Sequence, residues 1–316
     1  MARDGEGAGP LGCAVAEGVV DIPGVSLGWL TKHEPRTGVT LLLFPPQARG
    51  AVDVAGGAPA TRETDLLRPE NLVEGPDAVL LAGGSAFGLR AADGVLQVLA
   101  QAGRGAVFGE ARVPIVPAAA IFDLGVGSPE APTAADGEAV ARMALEGGQT
   151  LAEGLHGAGC GASVGKVLGP SHSMRGGQGA LTLTTPDGLR VAALAVVNAL
   201  GSVLSADGSV LAGPRGTDGA PLSTAPLIAA GRLPATVGEA TTIACVVTNA
   251  RLGKPQLQRV ARMAHDGLAR AVDPAHTPFD GDAIFCVSCG DLPADPSRVG
   301  TIAASAMAEA IRRAVR

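Results

Sequence analysis

Thr241-Thr-Ile-Ala-Cys-Val-Val-Thr248 is entered straight from Gly238-Glu-Ala240, and this junction decides how the chain is read. Downstream, the run of β-branched and small apolar residues reads as a buried strand. Upstream, residues 212–240 form a Gly/Pro-rich stretch that reads as a pliable linker. A linker running directly into a strand headed by Thr is the arrangement that self-cleavage needs. Breaking the Ala240–Thr241 bond would give one residue a hydroxyl nucleophile and a free α-amine to act as its base. An internal Thr has no such base, because its nitrogen is tied up in an amide. The plainer reading is a Thr that simply begins a strand, where Thr is common.

Working outward, Gly38-Val-Thr-Leu-Leu-Leu-Phe44 and Ala78-Val-Leu-Leu-Ala82 are further buried-strand candidates. Residues 180–184 and 189–197 flank Pro186-Asp-Gly188, a hairpin signal, and residues 283–287 are strand-like. Four helices are expected. One runs over residues 85–102, with Leu89, Ala92, Leu96 and Leu99 on one face. A second opens at the capping-box-like Thr133-Ala-Ala-Asp136. A third starts at Pro255, with Leu257, Val260, Ala261, Ala264 and Leu268 as its stripe. The last begins near Val299. No repeat and no convincing composition break divides the 316 residues, so a single α/β domain with helices outside the sheets is expected.

Composition removes several function classes. Charged residues are 17% and hydrophobic ones 47%, which is a globular balance. A net charge of -6 argues against nucleic acid as the main partner. Five scattered cysteines in a long chain fit a reducing compartment better than a disulfide framework. The acidic, glycine-containing start is no secretory signal, and no apolar run reaches the roughly 18 residues of a membrane span. A cytoplasmic protein is expected. Aromatics are only 2%, while Gly numbers 46, which calls for close backbone packing.

Several motifs tempt. Gly161-Ala-Ser163-Val-Gly165 has nucleophile-elbow spacing, and Asp280 with His276 or His265 could follow it in a triad, but the segment before Ser163 is a poor strand. Gly165-Lys166 resembles the end of a phosphate loop, yet Val167 stands where a Mg²⁺-binding Ser or Thr belongs. Cys286-Val-Ser-Cys289 has metal-site spacing but falls in a strand, where residues three apart face opposite ways; two core cysteines are the better reading, and no metal or cofactor is expected. A more coherent set remains. Asp280 and Asp282, two apart at a strand entrance, share a face in an extended chain and could hold an ammonium or hydroxyl; the alternative is a turn with solvated acids. Lys166 lies in a glycine-rich segment that a substrate could approach closely, though a lone lysine is most often a surface residue. Asn198 ends a very apolar strand and must find partners, either structural ones or an oxyanion.

Residues 80–89, Leu-Leu-Ala-Gly-Gly-Ser-Ala-Phe-Gly-Leu, with Gly56-Gly-Ala-Pro-Ala-Thr-Arg-Glu-Thr-Asp65, resemble segments of the L-aminopeptidase/D-esterase family of self-processing N-terminal-nucleophile hydrolases. Thr241-Thr-Ile with residues 246–252, Ala264-His-Asp-Gly, and His276-Thr with Asp280-Gly-Asp282 extend the resemblance over most of the chain. The likeness is greatest to the Thr-nucleophile branch that includes the nylon-oligomer hydrolases, whose lysine segment Ala162-Ser-Val-Gly-Lys166 resembles. It implies an αββα sandwich of two sheets flanked by helices. It implies cleavage at Ala240–Thr241 into residues 1–240 and 241–316, with Thr241 as nucleophile among Lys166, Asn198, Asp280 and Asp282. It places Gly84, Ser85 and Phe87 at the substrate, Phe87 standing where members commonly carry Tyr. It also implies a homo-oligomer, often a tetramer, acting on small peptides or linear amides. The nylon branch has Asn before its nucleophile, where this chain has Ala240; the ornithine acetyltransferases, of similar fold, cleave at an Ala–Thr bond. An acyltransferase and an unprocessed small-molecule binder are the alternative functions.

Overall fold

The apolar runs and the turns between them produce two main sheets, of six and five strands, beside which three small ladders lie among the described residues. The computed structural model describes residues 9–234 and 238–316; the N-terminal start and residues 235–237 of the Gly/Pro-rich stretch lie outside it. In chain order the strands are β1 (Ala14–Glu17), β2 (Ser26–Lys32), β3 (Thr37–Leu43), β4 (Arg49–Val54), β5 (Thr61–Arg62), β6 (Ala78–Ala82), β7 (Ala118–Ala120), β8 (Gly177–Thr184), β9 (Arg190–Asn198), β10 (Thr241–Ala250) and β11 (Ala283–Leu292). One sheet has the order β1-β8-β9-β10-β11-β4, the other β2-β3-β6-β7-β5. The helices that cover them are α1 (Ala91–Gln101), α2 (Ala134–Leu145), α3 (Lys254–Ala271) and α4 (Pro296–Ala314).

Alternation along the strands builds the layers. Ile243, Cys245 and Val247 of β10 face the opposing sheet, where Leu42, Val79 and Leu81 meet them. Ala244 and Val246 face α3 and α4. On the far side Leu41, Leu80 and Ala82 pack against Val95 and Leu99 of α1 and Val140 of α2. The result is the αββα sandwich. Both faces of its central strands are buried, which is why they read as near-continuous apolar runs. Each fully buried Leu, Ile or Phe contributes roughly 1.5–3 kcal/mol, and Leu41, Leu80, Leu194 and Phe285 are wholly buried.

The glycine and alanine content is used in helix contacts. A Cβ on Gly94 would meet the Ala134 carbonyl oxygen at 1.8 Å, and one on Gly137 would meet that of Ala91 at 1.8 Å. The two helices therefore touch backbone to backbone, with no room for a side chain between them. The Thr133 capping box forms: Asp136 Oδ2 accepts from Thr133 N at 2.7 Å, and Thr133 Oγ1 accepts from Asp136 N at 3.4 Å. The Pro186-Asp-Gly188 hairpin joins β8 to β9, with Thr184 opposite Arg190. Cys286 and Cys289 are both buried, one under the helices and one between the sheets.

Three details depart from the expectations. The helix expected over residues 85–102 is two pieces, Ser85–Gly88 and α1, separated by Leu89 and Arg90; Gly84 and Ser85 take positive φ (80° and 53°) where the first piece begins. The last helix starts at Pro296, earlier than expected, where Asp295 caps Ser297 N at 2.8 Å. The stretch read as a linker carries its own helix, Thr224–Ala229, tied down where Ser202 Oγ bonds the Leu222 carbonyl (2.9 Å) and Thr224 Oγ1 (2.8 Å). Among the described residues no helix is long and apolar enough to cross a membrane.

Candidate active site

Sheet register gathers the site. β10 runs antiparallel to β9, with Thr241 opposite Asn198, and parallel to β11, with Ile243 opposite Ala283. The first residue of β10, the last of β9 and the loop entering β11 therefore meet at one end of the sheet. Ala240 bridges to Asp280, and Gly281 N donates to the Ala240 carbonyl at 2.9 Å. Thr241 Oγ1 also donates to that carbonyl, and both residues are buried. Gly281 is needed at this spot: a Cβ there would lie 2.7 Å from the Ala58 carbonyl oxygen and 2.9 Å from Thr241 Oγ1.

Lys166 and Asn198, 32 residues apart, are brought into contact by the turn after β9. Gly165 N and Lys166 N bond the carbonyls of Gly201 and Leu200, both at 3.2 Å, which docks the lysine segment on that turn. Lys166 Nζ then donates to Asn198 Oδ1 at 2.7 Å and to the Glu239 carbonyl. Asn198 is fully used. Its Oδ1 also accepts from Ser163 N (3.0 Å), while Nδ2 donates to the carbonyls of Phe122 (3.0 Å) and Glu239 (3.1 Å). Burial lowers the Lys166 ammonium to about 7, against the opposing pull of Glu239, Asp280 and Asp123. Near neutral pH this amine can carry or release a proton.

The two carboxylates are buried, not the solvated acids of a turn. Asp282 Oδ1 accepts from Thr242 N at 2.7 Å; Oδ2 accepts from the backbone N of His276 at 3.0 Å and from its Nδ1 at 2.8 Å. Asp280 accepts from Thr277 Oγ1 (2.5 Å), Thr277 N (3.1 Å) and Leu200 N (3.3 Å). Burial, and then the charge of Asp282, raise Asp280 to about 6. His276 sits at φ 56°, with its ring 4.6 Å from that of His265. Burial opposes its charge, but the bond to Asp282 and the surrounding carboxylates prevail and raise its pKa. Asp282 thus reaches the amide after Thr241, and Asp280 secures the turn that follows Asn198.

A cavity of about 540 Å³ opens beside this cluster, and Lys166, Glu239 and Ala240 are on its wall. The structure thus brings together Lys166, Asn198, Ala240, Thr241, Asp280 and Asp282. Gly84, Ser85 and Phe87 are not on that wall. Gly84 N donates to Asp123 Oδ1 at 2.6 Å, Ser85 N to the Ile121 carbonyl at 2.9 Å, and Phe87 is 66% exposed. The aromatic residues that do line the cavity are Phe122 and Phe279. Sequence reading passed over Phe122 and its neighbour Asp123, a buried acid whose Oδ2 has no partner and whose carboxyl is raised by burial. The available signal was an Asp directly after the apolar run 115–122. Ser163 offers its backbone N to Asn198 and stands in a two-residue strand, without the long strand an elbow requires. Among the described residues no group of three His, Cys, Asp or Glu side chains is placed to hold a metal ion.

Residues 17–316 match peptidase family S58. The chain is 41% identical over 305 residues to an uncharacterized aminopeptidase of Mycobacterium leprae, covering 90% of this chain and 82% of that one. It is 32% identical over 316 residues to a 6-aminohexanoate-oligomer endohydrolase of Paenarthrobacter ureafaciens, covering 93% and 84%. Among solved structures, the L-aminopeptidase D-Ala-esterase/amidase of Ochrobactrum anthropi, described as a variant of the N-terminal-nucleophile hydrolase fold, superposes with a TM-score of 0.66 at 18% identity, covering 93% of this chain and 84% of that one. A Burkholderia β-aminopeptidase gives 0.64 at 21%, covering 93% and 84%. At those identities the structural likeness shows the fold alone.

Proposed function

The chain belongs to peptidase family S58, and from that premise we propose that it hydrolyses amide bonds with Thr241 as an N-terminal nucleophile, released by cleavage of its own Ala240–Thr241 bond. One observation carries this reading. The carbonyl of Ala240 takes a backbone donor, Gly281 N, and the Thr241 hydroxyl together, while Lys166 and Asn198 hold the carbonyl one residue earlier. A strand that merely began with Thr would need none of these contacts.

In the first stage Thr241 Oγ attacks the Ala240 carbonyl carbon. Gly281 N–H donates to the oxygen as negative charge grows on it, a type of contact worth roughly 3–4 kcal/mol elsewhere. The C–N bond breaks, the proton of Thr241 Oγ passes to the leaving nitrogen, and an ester links Ala240 to Thr241 Oγ. Lys166, which bonds the neighbouring Glu239 carbonyl and whose amine is lowered to about 7, would take part in that proton transfer. Water opens the ester and leaves Thr241 with a free α-amine, of ordinary pKa about 7.7–8.0. In the second stage this amine serves as the base for Thr241 Oγ on a substrate amide, giving an acyl-enzyme that water hydrolyses.

Departure of the Glu239–Ala240 segment would free Lys166 Nζ and Asn198 Nδ2 from the Glu239 carbonyl and offer both to substrate. The substrates are small peptides or linear ω-amino-acid oligomers, in line with the names of the relatives. The test is Thr241→Ala. It should stay one chain of 31.1 kDa and lose amidase activity. Full activity in that variant would remove Thr241 as nucleophile, and loss of activity on Ser163→Ala with Thr241 dispensable would promote the serine instead.

A further inference from the structure

The cavity lies on one side of the Ala240–Thr241 bond only. Glu239 and Ala240 are on its wall and Thr241 is not, so it is the acyl side of the bond that opens into it. Its charge is one-sided. Arg36, Arg175 and Arg215 line it from three separate segments, with Lys166 deeper in. Each arginine backbone is pinned: Arg36 N donates to the Lys32 carbonyl at 2.9 Å, Arg215 N to that of His172 at 2.7 Å, and Arg175 pairs with Ser163 in a short ladder. Arg36 is held at φ 73°, an unfavourable angle for a side-chain-bearing residue. All three are exposed. Their guanidiniums enter none of the ion pairs among the described residues, unlike Arg298 and Arg313, which pair with Asp187 and Glu153. The acid on the wall is Glu239 itself, one residue before the scissile carbonyl; Asp123 and Asp280 lie behind it and are raised by burial. Phe122 and Phe279 supply apolar surface beside the arginines.

We propose that this cavity takes a carboxylate carried on the acyl portion of the substrate, one residue removed from the carbonyl that is attacked, and that Arg36, Arg175 and Arg215 select it. The chain's own junction, Glu239–Ala240–Thr241, is the template: it brings an acidic residue to the wall of this cavity, one position before the scissile carbonyl, though its carboxylate forms no ion pair with the three arginines among the described residues. Guanidinium groups suit carboxylates because their N–H pairs match the two oxygens.

This rests on the proposed role of Thr241 but is tested apart from it. The probes are the dipeptides Glu-Ala and Gln-Ala, equal in size and differing by one charge, titrated by calorimetry into the self-processed protein. Glu-Ala should bind at least about tenfold more tightly at low ionic strength. The ratio should fall toward one at about 1 M salt, where the Debye length is about 3 Å, and in the triple variant Arg36→Met/Arg175→Met/Arg215→Met. The salt series needs no variant, so a misfolded triple variant leaves the test standing. A preference for Glu-Ala below about tenfold at low ionic strength, or binding of neither dipeptide, overturns the proposal. The p-nitroanilides of the same dipeptides separate the two readings. Cleavage of both at equal rates sinks this inference and keeps the amidase; selective binding without cleavage sinks the amidase and keeps the site.

Discussion

Replacing Lys166 by Met in a chain kept whole by Thr241→Ala separates what the buried ammonium costs the fold from what it does in the reaction. Burial lowers Lys166 from its ordinary 10.5 to about 7. Between those pH values the unfolded chain binds a proton that the folded chain does not. Stability from this group is therefore fully present above about 10.5 and lost as pH falls through about 7. At about 1.4 kcal/mol for each pH unit, the span is about 5 kcal/mol. Met carries no proton, so this dependence should vanish. Against it stand two lost hydrogen bonds, to Asn198 Oδ1 and the Glu239 carbonyl. Those acceptors keep Ser163 N and Asn198 Nδ2 as donors, so the loss is toward the low end of about 1–3 kcal/mol for each. Urea unfolding of Thr241→Ala and Thr241→Ala/Lys166→Met, followed by circular dichroism, should show the double variant more stable by about 2–3 kcal/mol at about pH 6. The advantage should shrink and reverse toward about pH 10. Titrating groups away from Lys166 are common to both proteins and cancel in the difference; Glu239, Asp280 and Asp123, which interact with its charge, add a smaller pH dependence of their own. A difference that stays constant with pH would refute the argument, because it would mean that Lys166 is not held in an environment hostile to its charge.

Gly281→Ala should slow self-cleavage by at least about tenfold, since its new Cβ would lie 2.9 Å from Thr241 Oγ1; a gel time course at the wild-type rate would show that the hydroxyl's position there is unimportant. His276→Asn fits the positive φ and removes the 2.8 Å bond from Nδ1 to Asp282, so self-cleavage should slow by about tenfold while the melting temperature falls only a few degrees; unchanged cleavage would strip the imidazole of a positioning role. Asp280, raised to about 6, holds its proton more firmly folded than unfolded. Its contribution is present below about pH 4 and lost as pH rises through about 6, so Asp280→Asn should remove about 3 kcal/mol of pH dependence from that window; an unaltered urea-midpoint profile would contradict the burial argument.

The layered fold was legible because the strands advertise themselves. Residues 189–197 and 241–248 are apolar on both faces, as strands between two layers must be. The Asp-Gly hairpin and the Thr133 capping box are local signals that act within a few residues, and both formed where expected. The break after Gly88 was less legible, since Leu89 and Ala92 keep helical spacing and Leu89 and Arg90 keep helical angles across it. At the site, spacing put Asp280 and Asp282 on one face and the family resemblance implied that they lie around Thr241, but neither gave a hint that their oxygens are occupied by backbone N–H groups. Lys166 beside Asn198 depends on two backbone bonds to Leu200 and Gly201, which no pattern in either segment encodes. Arg36, Phe122, Arg175 and Arg215 come from loops that meet only after the sheets have packed, and loop residues carry no periodicity to read.

N-terminal sequencing and intact-mass measurement of the purified protein under denaturing conditions test the central claim most directly. The account predicts two fragments, residues 1–240 and 241–316, the smaller beginning Thr-Thr-Ile-Ala-Cys, and a single uncut species for Thr241→Ala. A full-length 31.1 kDa chain that hydrolyses small amides at undiminished rate, with no new Thr terminus, would contradict it.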